Sequence, residues 1–317
     1  MTGSRSGRAI RGLGLAATVG MFVVDMVGFL DTETRSALGC GRDWPLCNGA
    51  VIPRLSNLHV TIEFMHRAIV GGFAVITLIF VLWAWRRYPG STSVRGFSAL
   101  AIGFIVIQSL LGAAAVIWVN PPPVLALHLG FGLLALVGTG LLTVVVFRLE
   151  AGQAAPRARF PADLRRLAQF LWVYGFAAIY WGSYVAFREA GPACQGWPLC
   201  NGRWFGQNNP LVLLDEIHRL VALGLAGLVV WLLVVLYRYR RTSREIWVAA
   251  VILAVLVATQ IASGAYLVFR HLATGPYLIH VGNVSLLFLV LSYLAYRSLE
   301  SVPGPTPASD LAQPPVI

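Results

Sequence analysis

The sequence contains no lysine and little charge of any kind. Only 12% of its 317 residues are charged, about half of the roughly 25% that is typical of soluble domains. So few charges cannot cover a water-exposed surface, which excludes a soluble enzyme. All 24 basic residues are arginine, and they lie mainly at the ends of apolar blocks rather than in one patch. The net charge of +11 therefore does not indicate a nucleic-acid-binding protein.

The apolar residues fall in blocks that are long enough to cross a lipid bilayer. A spanning helix needs about 20 mostly apolar residues, and the backbone groups of a segment in lipid must be hydrogen-bonded within that segment. The sequence therefore predicts an all-α, polytopic membrane protein with eight transmembrane helices. The predicted spans are residues 12–30, 60–85, 96–118, 124–147, 167–187, 211–237, 246–269 and 276–296.

The arginines predict how these helices are oriented. Sixteen arginines lie on the side that holds both chain termini, six lie on the other side, and two lie inside spans. By the positive-inside rule, both termini are cytoplasmic. The N-terminal segment has no clear cleavage site and is shorter than a mitochondrial transit peptide. We therefore expect a retained first helix and a bacterial plasma membrane.

Matched residues indicate that the chain is an internal repeat. The hexapeptide Trp-Pro-Leu-Cys-Asn-Gly occurs at residues 44–49 and again at 197–202. Two further elements recur after 152 residues: His66-Arg67 as His218-Arg219, and His128 as His280. Four spans return the chain to the side on which it began, so the repeats form two tandem four-helix bundles of parallel topology. Parallel repeats also occur in transporters, so the symmetry alone does not assign a function.

The repeat divides the chain into four parts. Residues 1–147 form the N-terminal half and residues 167–299 form the C-terminal half. Residues 148–166, rich in arginine, alanine and proline, form a cytoplasmic linker. Residues 300–317 are rich in proline and have no apolar face to bury, so we predict a disordered tail.

Four of the six histidines lie inside spans, at one predicted depth below the outer surface. They are His66, His128, His218 and His280. Two imidazoles at one depth can face each other across a four-helix bundle, where cofactor sites are built. Of the metals that two imidazoles could hold between them, haem iron fits best, because the porphyrin supplies its other four ligands. Interfacial or hydrogen-bonded core histidines remain an alternative, as does a zinc or copper site completed by carboxylates.

The remaining polar residues near this depth have simpler interpretations. His59 and His271 lie at the outer boundary without repeat partners, so we expect ordinary interfacial residues. Gln108 and Gln260 are expected to hydrogen-bond between helices. Asp25 lies deep in the first span, where either a proton path or a polar helix contact accounts for a carboxylate.

An acid stands three residues before the first histidine of each half. Glu63 precedes His66, and Asp215 takes the matched position in the second half. Residues three apart share a helix face, and a carboxylate at the edge of a haem pocket can accept or deliver protons. An ion pair with the neighbouring arginine is the alternative. The acids alone do not decide which half is reactive.

Arg67 and Arg219 directly follow these histidines. Burying a guanidinium group in lipid is costly, so each needs an anionic partner or must reach the surface. Outward-pointing haem propionates fit that need. Pairing with a protein carboxylate, or extension of the side chain to the nearby surface, fits it equally well.

The four cysteines all lie in the predicted outer loops. They form two local pairs, Cys40 with Cys47 and Cys194 with Cys200, which predicts two short disulfides in an oxidising compartment. Their spacing does not match the C-x-x-C-H motif of covalent haem attachment. The sequence leaves open whether each pair is a structural disulfide that folds its loop over the histidine site or a reversible thiol pair.

The combined pattern resembles the haem A synthase family (CtaA/Cox15). The resemblance rests on eight spans in two halves, Glu-x-x-His-Arg in the second span, histidines near the start of spans four and eight, and the two cysteine loops. It covers nearly the whole chain except the linker and the tail. The segment before Cys40 departs from the family's Arg-x-Thr-x-Ser-Gly run, because the arginine and the glycines are displaced.

The resemblance implies an oxidoreductase that converts the C8 methyl of haem O to the formyl group of haem A by successive hydroxylation. Haem A then serves cytochrome oxidase biogenesis, so haem O synthase and the oxidase assembly machinery are implied partners. It further implies the following roles: His66, His128 and Arg67 bind the substrate haem, His218, His280 and Arg219 hold a haem b cofactor, and Glu63 is catalytic. Asp215 and Asp25 are auxiliary candidates.

One rival shares the same histidines. A non-enzymatic dihaem cytochrome could relay electrons from quinol, and histidine spacing does not separate the two. A transporter is disfavoured because it needs no histidine quartet at one depth. The sequence leaves the electron partner open, and also whether the protein is a monomer or a homo-oligomer.

Overall fold

Eight long helices make up nearly all of the described chain. The computed structural model describes residues 5–152, 159–160, 162–203, 208–241, 244–300 and 302–303. All eight helices are long and apolar enough to cross a membrane, which confirms an all-helical, multi-pass membrane protein. The helices are α1 (Arg5–Glu33), α2 (Leu58–Arg87), α3 (Thr92–Ile117), α4 (Pro122–Glu150), α5 (Ala162–Phe187), α6 (Pro210–Tyr237), α7 (Arg244–Phe269) and α8 (Thr274–Leu299).

The helices extend beyond most of the predicted spans. The apolar windows mark only the segment that matches the hydrocarbon layer, whereas a helix continues until its backbone meets a cap. As a result, residues at both ends of the predicted linker are helical, because α4 ends at Glu150 and α5 begins at Ala162. A two-residue strand β1 (Arg159–Phe160) pairs in parallel with β2 (Val302–Pro303). Residues 301 and 304–317 of the predicted tail lie outside the described residues.

Side-chain caps set the start of several helices. Asn57 accepts a hydrogen bond from the backbone N–H of Val60 at 2.9 Å before α2, and Asn209 does the same for Leu211 at 3.0 Å before α6. A cap of this kind satisfies a helix donor that has no partner within the helix. Both capped helices carry a histidine within their first three turns, so the caps help to fix the depth of those histidines.

Helix α4 lies at the centre of the bundle. It packs against α1, α3, α5 and α8, and every residue from Gly132 to Thr143 is buried. Helices α1 and α8 also contact each other. The two repeats therefore share an extensive helical interface in which α4 is surrounded on most sides.

A glycine lets α3 and α4 approach until their backbones touch. A Cβ atom added to Gly138 of α4 would lie 2.6 Å from the backbone nitrogen of Ala101 in α3. Real Cβ atoms do not come this close to backbone, so the helices would have to separate. By contrast, a Cβ added to Gly103 of α3 meets no atom within 4 Å.

We predict that Gly138→Ala lowers the free energy of unfolding by about 1–3 kcal/mol, because an added methyl group overpacks the α3–α4 contact. Thermal unfolding in detergent, followed by tryptophan fluorescence, measures this effect. Gly103→Ala is the matched control and should be neutral or slightly stabilising, because alanine favours a helix over glycine. Equal melting temperatures for the two variants would contradict the close approach.

Candidate functional site

The four histidines occupy matched positions near the N-terminal ends of the even-numbered helices. His66 and His218 are eight residues beyond the first residue of α2 and α6, and His128 and His280 are six residues beyond that of α4 and α8. At a rise of 1.5 Å per residue, these offsets are about 9–12 Å along the helix. All four side chains are half-buried. The histidines of each matched pair therefore lie at the same distance from the start of their helices, as the repeat predicted.

The first histidine pair, His66 and His128, lines a single cavity. The cavity has a volume of about 310 Å³ and is formed mainly by α1, α2, α3 and α4, and its size falls at the lower end of ligand pockets. Glu63, Arg67 and Asp25 line the same cavity. The fold thus brings together all five residues that the sequence singled out in the first repeat.

The second histidine pair, His218 and His280, lies on α6 and α8, and both of these helices pack against α5 and α7. Asp215 and Arg219 lie on the same helix as His218, within one turn of it. The candidate residues of the second repeat are therefore also brought together.

A glycine from another helix packs against each of the four imidazoles. The pairs are Gly28 with His66, Gly112 with His128, Gly182 with His218, and Gly264 with His280. A Cβ atom added to any of these glycines would lie 2.7–3.2 Å from a ring atom. Each imidazole therefore depends on a missing side chain opposite it. The sequence alone does not show these contacts, because each glycine lies in a different helix from the imidazole on which it packs.

The hydrogen bond of His128 fixes which ring nitrogen is free. Its Nδ1 lies 2.7 Å from the backbone carbonyl oxygen of Gln108. A carbonyl can only accept, so Nδ1 carries the proton and Nε2 keeps its lone pair. Metal-binding histidines commonly donate their other N–H to a carbonyl in this way. The Gln108 side chain lines the cavity.

The matched histidine of the second repeat, His280, has a side-chain partner instead. The Ser263 hydroxyl donates to the backbone carbonyl of Gln260 at 3.0 Å, so its oxygen can accept the Nδ1 proton of His280, also at 3.0 Å. The side-chain nitrogen of Gln260 lies 3.1 Å from Nε2 of His280, and its Oε1 accepts a hydrogen bond from Asn283 of α8 at 2.6 Å. The bond from Asn283 confirms the interhelical role expected for Gln260.

Glu63 and Arg67 join α2 to the loop that precedes it. Glu63 Oε2 accepts a hydrogen bond from the backbone N–H of Cys40 at 2.6 Å, and its other oxygen pairs with Arg67. Arg67 also donates to the carbonyl oxygens of Asp43 and Leu46, at 2.8 and 2.6 Å. The guanidinium group thus has an anionic partner within the protein.

Asp215 and Arg219 repeat this arrangement on α6. Arg219 Nε donates to Asp215 Oδ2 at 2.7 Å, and its Nη1 donates to the carbonyls of Gly196 and Pro198 at 2.9 and 3.1 Å. Pairing with a protein carboxylate, one of the alternatives that the sequence left open, is therefore the arrangement found in both repeats.

The repeated hexapeptide, residues 44–49 and 197–202, forms a compact turn tied by a disulfide in the loop before α2 and again before α6, and each such turn is here called a clip. Cys47 and Ala50 form an antiparallel bridge, as do Cys200 and Arg203. The Asn-Gly dipeptides between them, 48–49 and 201–202, have positive φ at both residues, as a type I′ turn requires. Both predicted disulfides, Cys40–Cys47 and Cys194–Cys200, are present.

Two aspartates of α1 face the first histidine pair. Asp25 Oδ2 is buried without a hydrogen-bond partner. Asp31 is also buried, and its Oδ2 lies 3.7 Å from Nδ1 of His66. Asp25 was identified from the sequence, but Asp31 was missed because it appeared to belong to the loop. No sequence signal marks it, because its role depends on where the end of α1 lies relative to α2.

The two other histidines lie outside these pairs. His59, in the first turn of α2, is 3.0 Å from the Ser36 hydroxyl, which ties the preceding loop to the helix. His271 lies in an exposed turn after α7. Among the described residues, no group of three or more His, Cys, Asp or Glu side chains could hold a metal ion.

The fold and the site define a class of protein, a multi-pass helical membrane protein with two repeated pairs of intramembrane histidines. The chain belongs to the COX15-CtaA family, described as cytochrome oxidase assembly protein, whose family model matches residues 11–292. The family resemblance found in the sequence is thereby confirmed.

Several bacterial relatives are similar over nearly their whole length, and each is named "Heme A synthase". The protein of Geobacillus kaustophilus is 32% identical over 310 residues, 96% of each chain. That of Halalkalibacterium halodurans is 34% identical over 90% of this chain and 96% of its own. That of Alkalihalophilus pseudofirmus is 36% identical over 87% and 93%, respectively.

We predict that Arg67→Met destabilises the protein by about 3–5 kcal/mol, because it leaves the buried Glu63 carboxylate without its cation. Chemical unfolding in detergent measures the change. The double variant Glu63→Gln/Arg67→Met removes both charges and should recover most of the loss. The single variant Glu63→Gln completes the set. If the losses of unfolding free energy in Glu63→Gln and Arg67→Met simply summed in the double variant, the buried ion pair would not be coupled as described.

Proposed function

We propose that the protein is a haem A synthase, an oxidoreductase that converts the C8 methyl of haem O to the formyl group of haem A for cytochrome oxidase. The observation that carries this proposal is the cavity shared by His66, His128 and Glu63, in a chain whose relatives are named for that activity. Two successive hydroxylations, each removing two electrons that an oxidant from outside the chain takes up, give an alcohol and then a hydrate, which loses water to leave the formyl group.

The residues of both pairs fit a haem. Each imidazole packs on a glycine of a neighbouring helix, and the protonated Nδ1 of His128 leaves the Nε2 lone pair free to bind iron. We assign the first pair to the substrate, haem O, and the second pair to a haem b cofactor. When bound, haem b supplies iron that can exchange electrons.

In this proposal, the two halves of the chain bind different haems. Residues 1–147 form the substrate half and residues 167–299 the cofactor half, joined by the linker 148–166. Arg67 and Arg219 would supply positive charge for the propionates of the two haems, and their ion pairs hold the loops in place. Haem O synthase supplies the substrate, and the oxidase assembly machinery receives the product.

Glu63 is the proposed catalytic acid–base residue. It lines the substrate cavity, and oxidation of a methyl group releases protons that a nearby carboxylate can accept. The backbone N–H of Cys40 and the Arg67 guanidinium hold its two oxygens in fixed positions. Asp25, deeper on the same cavity wall, is an auxiliary residue that can pass a proton onward. Asp215 serves mainly to hold the second loop.

The clip over the first repeat limits access of water to the substrate. Trp44 and Pro45 line the outer part of the cavity, and the disulfide beside them packs on Val60 of α2. We assign a structural role to both disulfides. The alternative function, a dihaem cytochrome that relays electrons from quinol, would need neither a substrate cavity nor a carboxylate within it.

We also propose an orientation. The arginine distribution supports cytoplasmic termini in a bacterial plasma membrane, with both disulfide loops on the outer face. The histidine pairs then lie closer to the outer surface than to the cytoplasmic one.

We predict that Glu63→Gln lowers haem A formation by about 10²–10⁴-fold, the usual loss on removing an acid–base group. The protein is co-expressed with haem O synthase, and the extracted haems are separated by chromatography. Glutamine keeps one of the two acceptor oxygens, which can still accept from the Cys40 backbone N–H, and the Arg67 bonds to the carbonyls of Asp43 and Leu46 help to keep the loop in place. The matched variant Asp215→Asn should retain haem A formation. Wild-type levels of haem A from Glu63→Gln would refute the assignment, as would loss confined to Asp215→Asn.

The orientation predicts which introduced cysteines are reachable from outside the cell. Ile52 in the first loop is 80% exposed, and Ala151 lies exposed after α4. In spheroplasts, a membrane-impermeant maleimide should label Ile52→Cys at once but Ala151→Cys only after permeabilisation. The native cysteines are disulfide-bonded and do not interfere. The opposite pattern would invert the topology.

A further inference from the structure

Asp31 places a carboxylate behind one of the four histidines. It lies in the last turn of α1, is 5% exposed, and its Oδ2 is 3.7 Å from Nδ1 of His66. It lines the same cavity as His66. Its other oxygen, Oδ1, is buried, and the part of the chain that the structure describes offers it no hydrogen-bond partner.

A buried carboxylate is costly unless a donor or a cation compensates it. The nearby Arg67 is already engaged by Glu63 and two loop carbonyls. Within the described parts of the chain, the ion pair recorded for Asp31 is the one with His66. Nδ1 of His66 is therefore the nitrogen that this carboxylate faces, at 3.7 Å and just beyond hydrogen-bonding distance.

The second repeat carries valine rather than a carboxylate at the matched position. Gly28 and Gly182 are the glycines that pack on His66 and His218. Three residues after the first lies Asp31, and three residues after the second lies Val185. In agreement with that difference, Nδ1 of His218 is buried and has no hydrogen-bond partner among the described residues. The two otherwise matched sites thus differ in the charge behind one imidazole.

We propose that Asp31 is a positioning residue for His66, which holds the Nδ1 proton and leaves Nε2 free to bind haem iron. This inference rests on the proposed haem-binding function. A carboxylate behind an imidazole fixes the tautomer and makes it a stronger donor to a metal. Stronger donation favours ferric iron, so the two sites would have different reduction potentials, with the lower one at the Asp31 site.

The test uses the full-length protein in detergent, loaded at both sites with ferric protoporphyrin IX. Redox titration followed by absorption spectroscopy measures the two midpoint potentials. Asp31→Asn removes the charge but keeps an acceptor, so it should raise one potential while haem stays bound. Asp31→Val should raise the same potential and weaken haem binding at that site by about 10–100-fold.

The reciprocal variant lies in the other repeat. Val185→Asp should place a carboxylate behind His218 and lower the potential of the haem that the Asp31 variants leave unchanged. Val185→Asn, which adds polarity without charge, is its control. If Val185→Asp does not fold, the two Asp31 variants carry the test by themselves.

Two results would overturn the inference, and they differ in meaning. If the loaded protein shows unchanged potentials in both Asp31 variants, or equal shifts of both haems, Asp31 does not act through His66. If the wild-type protein binds no protoporphyrin at either site, the proposed haem-binding function fails as well.

Discussion

A polar group inside the hydrocarbon layer must find its partner within the protein, and this constraint organises the whole molecule. The bundle is mostly apolar, so the few polar side chains stand out as sites. Glu63 pairs with Arg67 and Asp215 pairs with Arg219, and both arginines also bind loop carbonyls. One interaction thereby compensates a buried charge and fixes a loop over a histidine pair.

The two halves of the chain share one structural framework but differ in the residues around their histidines. Glycine contacts, acid–arginine pairs, Asn-Gly turns and disulfides recur in both halves. The hydrogen-bond partners of the imidazoles do not recur. His128 donates to a backbone carbonyl, whereas His280 faces a serine hydroxyl. Asp31 stands behind His66 without a matched acid in α5. Such differences give one framework two chemically distinct sites, as an enzyme with a substrate and a cofactor of the same kind requires.

Much of this architecture could be predicted from the sequence, for identifiable reasons. Span length and hydropathy are enough to find membrane helices, and the fixed rise of a helix converts the spacing of His66 and His218 into depth. Cysteine pairing was predictable because each pair lies within one short loop. The bounds of the helices were less so, since caps such as Asn57 lie outside the apolar windows.

Other features depend on contacts between helices that are distant in sequence. The packing of Gly28 on His66, and of Gly182 on His218, needs the relative position of two helices, which no local pattern supplies. The partner of Arg67 remained open because a propionate, a carboxylate and the surface all satisfy a guanidinium group. Asp31 was missed because its role depends on where the end of α1 lies relative to α2.

The most direct test of the account is the haem content of the purified protein, measured as haem per chain from the pyridine haemochrome spectrum. We predict two haems for the wild type and one each for Gly112→Val and Gly264→Val, because valine would occupy the space beside one imidazole. A colourless wild-type protein after loading with haem, or full haem content in both variants, would contradict the claim that each histidine pair holds one haem.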